Sequence, residues 1–290
     1  MHKAVLLEKV VEYLNPQPGE NFVDCTLGEA GHSLAILEKT KPDGKILGID
    51  LDKESLQRIM PNERLILAYG NFRDLKQIVL EKNFANINGV LFDLGISSWQ
   101  LEQSGRGFSF KKDESLNMIL NGNQTVSAQE ILNTWPEESL LKIFYDYGEE
   151  KFSRKIVQRI VQRRKLAPIK TTFQLLEIIK KSIPFSRSRR GRLDRVAARI
   201  FQALKIAVND ETENLSHGLE QALEILEKEG RLVAISFHSI EDRIVKRFFK
   251  GKAQEERLKI LTMKPITASM VELQNNPRSR SAKLRAAMKI

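Results

Sequence analysis

Four short apolar runs in the first hundred residues end on residue types that can hold a polar ligand. "NFVDC" (21–25) leads into "TLGEAGHS", where Gly28, Ala30 and Gly31 leave the backbone open and His32 stands at the start of a helical pattern. "KILGID" (45–50) stops at Asp50, 22 residues after Gly28; "LILAYG" (65–70) is followed by Asn71-Phe72; "NGVLFDLG" (88–95) contains Asp93. Small residues let a ligand come close to the main chain, and the first turn of a helix favours a carboxylate or phosphate. A carboxylate spaced like Asp50 accepts both hydroxyls of a ribose. Phe72 supplies an apolar ring to cover a purine, and Asp93 stands where a reacting group would lie. The set fits one adenosine-type ligand, with His32 offering its backbone N–H or its ring to the ligand's carboxylate.

The glycine turn lacks the full G-x-G-x-x-G pattern that cradles a pyrophosphate, and no G-x-x-x-x-G-K-[ST] occurs. That argues against a nicotinamide cofactor and against an NTPase. An acid ending the fourth run suits activation of a methyl acceptor, so the cofactor expected is S-adenosyl-L-methionine. A second constellation, "FHSIEDR" (237–243), has the residue types of a hydrolase triad or a metal site. Sequence neighbours on a strand-to-helix turn point in different directions, however, so Ser239 with Asp242 reads as the capping box of the next helix. His238 is then free to touch a target nucleotide, and no metal is expected. The single cysteine, Cys25, rules out a disulfide framework or a cysteine-rich zinc site and points to a reducing cytoplasm.

The elements that must position these residues follow from periodicity. Strand-like runs alternate with helical stretches such as "HSLAILEKT" and "DKESLQRIM" at about 20-residue spacing, which implies βαβ units and a parallel sheet. The pattern returns late, with "SHGLEQALEILEKEG" as an amphipathic helix closed by Gly230 and "RLVAISFHS" as a buried strand. Between these blocks residues 126–182 are helical throughout, with Ser127 and Glu130 spaced as a capping box and Thr172 as an N-cap. The N-terminus "MHKAVLLEKVVEYL" is an amphipathic helix, not a signal peptide, and no run is long enough to span a membrane.

Net charge is +10, but residues 151–200 hold 16 Lys and Arg against Glu177 and Asp194, a local +14 that leaves −4 for the rest of the chain. Charge concentrated in this way is a footprint for a polyanion, and its arginine content favours nucleic acid over a membrane surface. "PFSRSRRGR" (184–192) is too polar to pack and is expected as an exposed loop, its Arg187, Arg189 and Arg190 contacting substrate.

"DLGISSWQLEQSGRGFSFKKD" (93–113) resembles the bacterial 16S rRNA (cytosine-N4)-methyltransferases, the methyltransferase H or MraW family. "HKAVLL", "VDCTLGEAGHS", "YGEE" (147–150), "RIFQALKIAVNDE" (199–211), "ISFHSIEDRIVKRFF" (235–249) and "NPRSRSAKLR" (276–285) follow the family's order, so the resemblance spans essentially the whole chain. It implies an α/β fold: a class I, Rossmann-like methyltransferase sheet with an inserted all-helical domain. The S-adenosylmethionine-binding domain would be 1–112 and 206–290, and the basic substrate-recognition domain 113–205. The implied reaction methylates the exocyclic N4 amine of a decoding-centre cytosine, position 1402, in 16S rRNA. The small ribosomal subunit is then the partner, and a homodimer is left open.

By the same resemblance the cofactor contacts fall on Ala30, Gly31, His32, Asp50, Phe72, Asp93 and Gln100. All but Gln100 coincide with residues reached above from strand ends. Asp93 is the expected catalytic acceptor of amine N–H bonds, helped by the hydroxyls of Ser97 and Ser98 and the carbonyl of Leu94. His238, Arg278 and Arg280 are expected to contact RNA. The chain departs from the family in three places. Ala30 replaces a glycine; Leu116-Asn117-Met118-Ile119-Leu120 replaces leucine-aspartate-methionine-arginine-methionine; Arg195-Val196-Ala197-Ala198-Arg199 replaces histidine-proline-alanine-threonine-arginine. The last two changes bear on substrate handling, so a different RNA substrate and a non-catalytic RNA-binding assembly factor are the competing readings.

Overall fold

The apolar runs punctuated by Gly, Asp and Asn are strands of one sheet. The structure is a computed structural model that describes residues 4–60, 62–95, 98–120, 125–184 and 189–290, apart from the side chains of Ser98, Glu102, Arg189 and Arg190. Its strands are β1 (Asn21–Asp24), β2 (Ile46–Asp50), β3 (Leu65–Tyr69), β4 (Ile87–Asp93), β5 (Leu226–Ser236), β6 (Leu258–Ile260) and β7 (Lys283–Lys289). They lie in the order β3-β2-β1-β4-β5-β7-β6. The first five are parallel, and β7 runs antiparallel to both β5 and β6.

Parallel strands read as continuous apolar runs because both faces are covered. On one face Val23, Leu47, Ile49, Val90 and Phe92 pack with Leu215, Leu219, Val245 and Phe249 from the helices Glu211–Ile225 and Ser239–Gln254. On the other, Phe22, Ile46, Leu91, Val233 and Ile235 pack with Val10 and Leu14 of the helix Leu7–Leu14 and with Ile36 and Leu37 of the helix Gly31–Lys39. The alternation of neighbours such as Phe22 and Val23 between the two cores is the period-2 geometry of a strand.

The chain divides into two compact units, Met1–Gly95 with Thr212–Ile290 and Ile96–Glu211. The junctions therefore lie at 95/96 and 211/212, not at 112/113 and 205/206. Phe108 and Leu116 are buried in the helical core, and Asn209 is tied to the 118–120 segment, its Nδ2 donating to the Met118 carbonyl at 2.8 Å and its Oδ1 accepting from Leu120 N–H at 3.0 Å. The helical unit contains Ala128–Thr134, Glu137–Asp146, Ser153–Leu166, Thr172–Ser182 and Arg189–Asn209 around Leu140, Phe144, Ile156, Ile160, Leu175 and Leu204.

Four local expectations are corrected. Gly230 does not close a helix: the helix ends at Ile225, and Gly230 lies in a β5 irregularity where a Cβ would meet the Glu227 carbonyl at 2.8 Å and that of Asn88 at 3.2 Å. Thr171, not Thr172, caps the helix Thr172–Ser182 and forms a capping box with Gln174, because Thr172 is buried and donates to the Lys112 carbonyl at 2.6 Å. The box at the helix Ser239–Gln254 is His238 with Glu241, one residue before the expected pair; Asp242 is taken instead by Arg285, at 2.7 Å from Nε. Residues 189–192 of the expected loop begin a helix, while 185–188 lie outside the described residues.

The segment "NPRSRSAKLR" ends inside the sheet. It forms the 3₁₀ turn Pro277–Ser281 and then β7, an inner strand whose Leu284, Ala286 and Ala287 are fully buried. Leu284→Ala should therefore cost about 2–5 kcal/mol, read as a shift of the urea midpoint. A neutral result would mean that the C-terminal strand is not part of the folded sheet.

Candidate active site

The strand order changes direction at β1 and β4, and ligands of such sheets bind beyond the carboxyl ends at that switch point. β1 pairs with β2 at Asp24–Gly48 and with β4 at Asp24–Leu91. Asp50 and Asp93 are thus each two residues beyond register with Asp24, on opposite sides of it. Two interstrand spacings separate their strands by about 10 Å, a span a nucleoside can bridge.

The loop after β1 is shaped by backbone conformation. Gly28 has φ +53°, and its N–H donates to Asp50 Oδ2 at 2.8 Å. Ala30 also lies in the left-handed region, φ +60°, as N-cap of the helix Gly31–Lys39. A side chain at Gly31 would stand 3.1 Å from the Ala4 methyl. Asp50 accepts a second backbone bond, from Asp52 N–H at 2.8 Å. Burial raises its pKa to about 6, outweighing these two donors.

His32, Asp24 and Asp93 form a buried cluster next to this loop. Asp24 is 2% exposed, accepts from Ser33 Oγ at 2.7 Å and Thr26 N–H at 3.1 Å, and has its pKa raised by burial. Thr26 Oγ1 accepts from the backbone N–H of Asp93 at 2.6 Å. His32 Nε2 lies 3.4 Å from Asp93 Oδ2, near enough for an ion pair but without hydrogen-bond geometry. Burial acts to lower the imidazole pKa, but Asp93, then Asp24 and Glu272, overcome it and leave the group above its ordinary range. Among the described residues, both ring nitrogens of His32 and Asp93 Oδ1 are buried without a hydrogen-bond partner. Buried polar atoms are almost always paired, so three orphans in one place point to an absent polar ligand.

Phe72 opens the 3₁₀ turn after β3, half-buried, its ring edge-on to Phe92 at 5.4 Å and beside Gly218. Gln100 is buried in the helix Ser98–Glu102. Ser97, Arg187 and the side chains of Ser98, Arg189 and Arg190 lie outside the described residues. His238 is fixed by its capping role; Arg278 is half-buried and Arg280 exposed on the 3₁₀ turn Pro277–Ser281. The sequence reading missed Asp24, Thr26 and Ser33 as parts of the site, although the acid ending the β1 run was in plain view.

The MraW methylase family model matches residues 1–290. The chain belongs to the MraW methylase family. It is a methyltransferase of Rossmann-like fold, and S-adenosyl-L-methionine is its cofactor. The residues at the sheet edge fit that group: a glycine-opened loop before a helix N-terminus, a two-oxygen acceptor at Asp50, and an unpaired buried acceptor at Asp93 Oδ1. Among solved structures, the chain is similar to a candidate rRNA-methylase from Clostridium thermocellum, with 12% identity, TM-score 0.49 and full coverage of both chains. It is also similar to TrmN from Thermus thermophilus, with 9% identity, TM-score 0.44 and coverage of 98% of this chain and 48% of that one. An rRNA methylase from Streptococcus thermophilus matches at 11% identity and TM-score 0.42, covering 100% and 99%. No helix of the described residues is long and apolar enough to cross a membrane.

The raised Asp50 pKa has a stability consequence. The folded chain holds this proton up to about pH 6, whereas an unfolded chain releases it near 3.8. Asp50 therefore supports folding below about pH 4 and withdraws that support as pH rises to 6. Asp50→Asn, which forfeits one backbone bond, should stabilise the cofactor-free protein by about 1–2 kcal/mol at pH 7.5. At pH 4 the same variant should be no more stable than wild type. Melting curves at the two pH values read the difference, and equal effects at both would remove the burial cost assigned to Asp50.

Proposed function

We propose that the chain methylates the exocyclic N4 amine of a decoding-centre cytosine in 16S rRNA. The observation that carries the reading is Asp93 Oδ1, a buried acceptor without a partner at the carboxyl end of β4, in a chain of the MraW methylase family. An exocyclic amine is a weak nucleophile because its lone pair is delocalised into the ring. An acceptor fixed against its N–H draws electron density back onto nitrogen and orients the lone pair.

In this reading Asp93 accepts one amine N–H through Oδ1, while the His32 imidazole stands 3.4 Å from Oδ2. The Thr26 hydroxyl holds the Asp93 backbone in place. Gly28 to Gly31 and the following helix N-terminus receive the methionine carboxylate, Asp50 the ribose hydroxyls, and Phe72 the adenine. The bound cofactor supplies an electrophilic methyl group. Forming the N–C bond would break the cofactor's S–CH3 bond and leave a neutral thioether, and Asp93 would take the surplus amine proton and pass it to water, a transfer that needs no strong base. The +14 segment of the helical unit supports RNA as the substrate class, and the seven collinear motifs support 16S rRNA within that class.

Deleting the gene and mapping modified cytosines in small-subunit rRNA tests the substrate: loss of N4 methylation at the decoding-centre cytosine is expected, and unchanged methylation overturns the proposal. Asp93→Ala should lower turnover at least about 10²-fold and leave RNA affinity within a factor of about two. Retained turnover would remove Asp93 from the mechanism.

A further inference from the structure

The turn "YGEE" has a structural use that none of the chemistry above takes up. Gly148 follows the helix Glu137–Asp146 where a Cβ would meet the Phe144 carbonyl at 2.5 Å and the Arg199 carbonyl at 3.2 Å. Glu149 then takes a left-handed conformation, φ +47°. The effect is to drive the Glu150 side chain inward, where it has no solvent exposure. Its Oε1 accepts from Phe152 N–H at 2.9 Å, and its Oε2 accepts from Arg199 Nη1 at 3.3 Å. Gln202 Nε2, three residues on, donates to the Tyr147 carbonyl at 3.2 Å. The turn is thus fastened to the helix Arg189–Asn209 at several points within one unit.

Arg199 is the outward half of this arrangement. Its side chain is 50% exposed, and among the described residues only Nη1 of its guanidinium has a protein acceptor. Among the described residues the remaining N–H donors of the fork face no acceptor. Arg192 and Arg195 precede it at spacings of seven and four, which share one helix face. Arg195 is exposed and Arg192 half-buried. Asp194, the acid of this stretch, is one residue from Arg195 and two from Arg192, spacings that do not face each other on a helix. The grooves of the unit differ in kind. One, which Glu150 itself lines, carries Glu138 and Asp146 with Lys142, Lys151 and Arg154, and the other carries Asp113 and Glu177 with Arg159, Arg163 and Lys181, so each mixes both signs.

We infer that Arg199, aimed by the buried Glu150 carboxylate, is a preset phosphate contact for RNA, with Arg195 and Arg192 extending the same cationic strip. The inference rests on RNA being the substrate class. A guanidinium already held by one N–H loses less rotamer freedom on binding than a free surface arginine, and its open edge matches a phosphate bidentately. Glu150 is then a positioning residue and never meets the ligand.

The test is fluorescence anisotropy of a labelled RNA hairpin of mixed sequence, bound by the full chain over a salt series. Arg199→Ala should weaken binding about 5–10-fold and reduce the slope of log affinity against log salt by about one. Because that variant strands a buried carboxylate, E150Q/R199Q replaces the pair with two neutral amides and should give the same losses while melting as a folded protein. Arg195→Ala, on the exposed face, should lower the slope similarly. Glu150→Gln alone keeps the charge, so affinity should fall about 2–3-fold with the slope unchanged. No binding of RNA by the wild-type chain overturns the RNA reading and this inference together. Wild-type binding that E150Q/R199Q leaves unaltered in strength and slope, whatever happens to the melting temperature, overturns the inference alone.

Discussion

A carboxylate can be kept from water only where something else donates to it, and the sheet edge treats its two outer acids unequally. Asp50 receives two backbone N–H groups, from Gly28 and Asp52. Among the described residues Asp93 receives none at Oδ1 and has the poorly aligned His32 ring near Oδ2. The difference comes from the chain path. The β1 loop folds over β2 and closes on Asp50, whereas at β4 the loop side chain Thr26 is spent on the Asp93 backbone. One acid is therefore satisfied before any ligand arrives and is suited to holding. The other has unmet capacity, worth roughly 1–3 kcal/mol for a buried polar atom, and is suited to polarising an N–H that comes and goes. The folded protein bears that cost at the place where an acceptor is wanted.

Much of this edge was legible in the sequence because parallel strands buried on both faces read as apolar runs, and such sheets open their carboxyl ends to ligands. Asp50, His32 and Asp93 were placed at that edge in this way, and the structure has them there. Asp24 was not, since an acid buried under the site looks in sequence like any other strand-ending acid; only the Ser33 and Thr26 contacts distinguish it. The C-terminal strand escaped for another reason. "KLRAAMK" mixes Lys and Arg with small apolar residues, and its Arg285 is buried because Asp242 lies across from it, a tertiary pairing that no local pattern announces. Gly230 misled because a glycine after a helical run usually marks a C-cap, while here close approach to the Asn88 carbonyl requires it.

The departures from the family pattern look milder in three dimensions than in one. Ala30 adopts φ +60°, which costs a non-glycine residue about 1 kcal/mol, but its methyl is 1% exposed within the core beneath β1. Burying a methyl recovers a similar amount, so alanine and glycine come close to balance there. Asn117 Oδ1 accepts from Ile119 N–H at 3.0 Å, a local bond that an aspartate could make equally well. Ile119 in turn packs its apolar side chain against the helical core, where an arginine could bury only its stem. The segment keeps its turn and gives up a carboxylate and a guanidinium.

The helical unit solves its own burial problem with the device used at the sheet edge. Glu150, like Asp50, sets an oxygen against a backbone N–H close by in sequence. The difference is the second oxygen: at Asp50 it meets another amide, at Glu150 a guanidinium that is half in water. With an amide as partner the carboxylate is left as the polar group presented outward; with arginine as partner the outward group becomes cationic. The same cost of burial therefore yields an outward acceptor in one unit and a stiffened positive charge in the other. Which of the two results is decided by one turn, where Gly148 permits the close approach to the Arg199 backbone that a side chain would block.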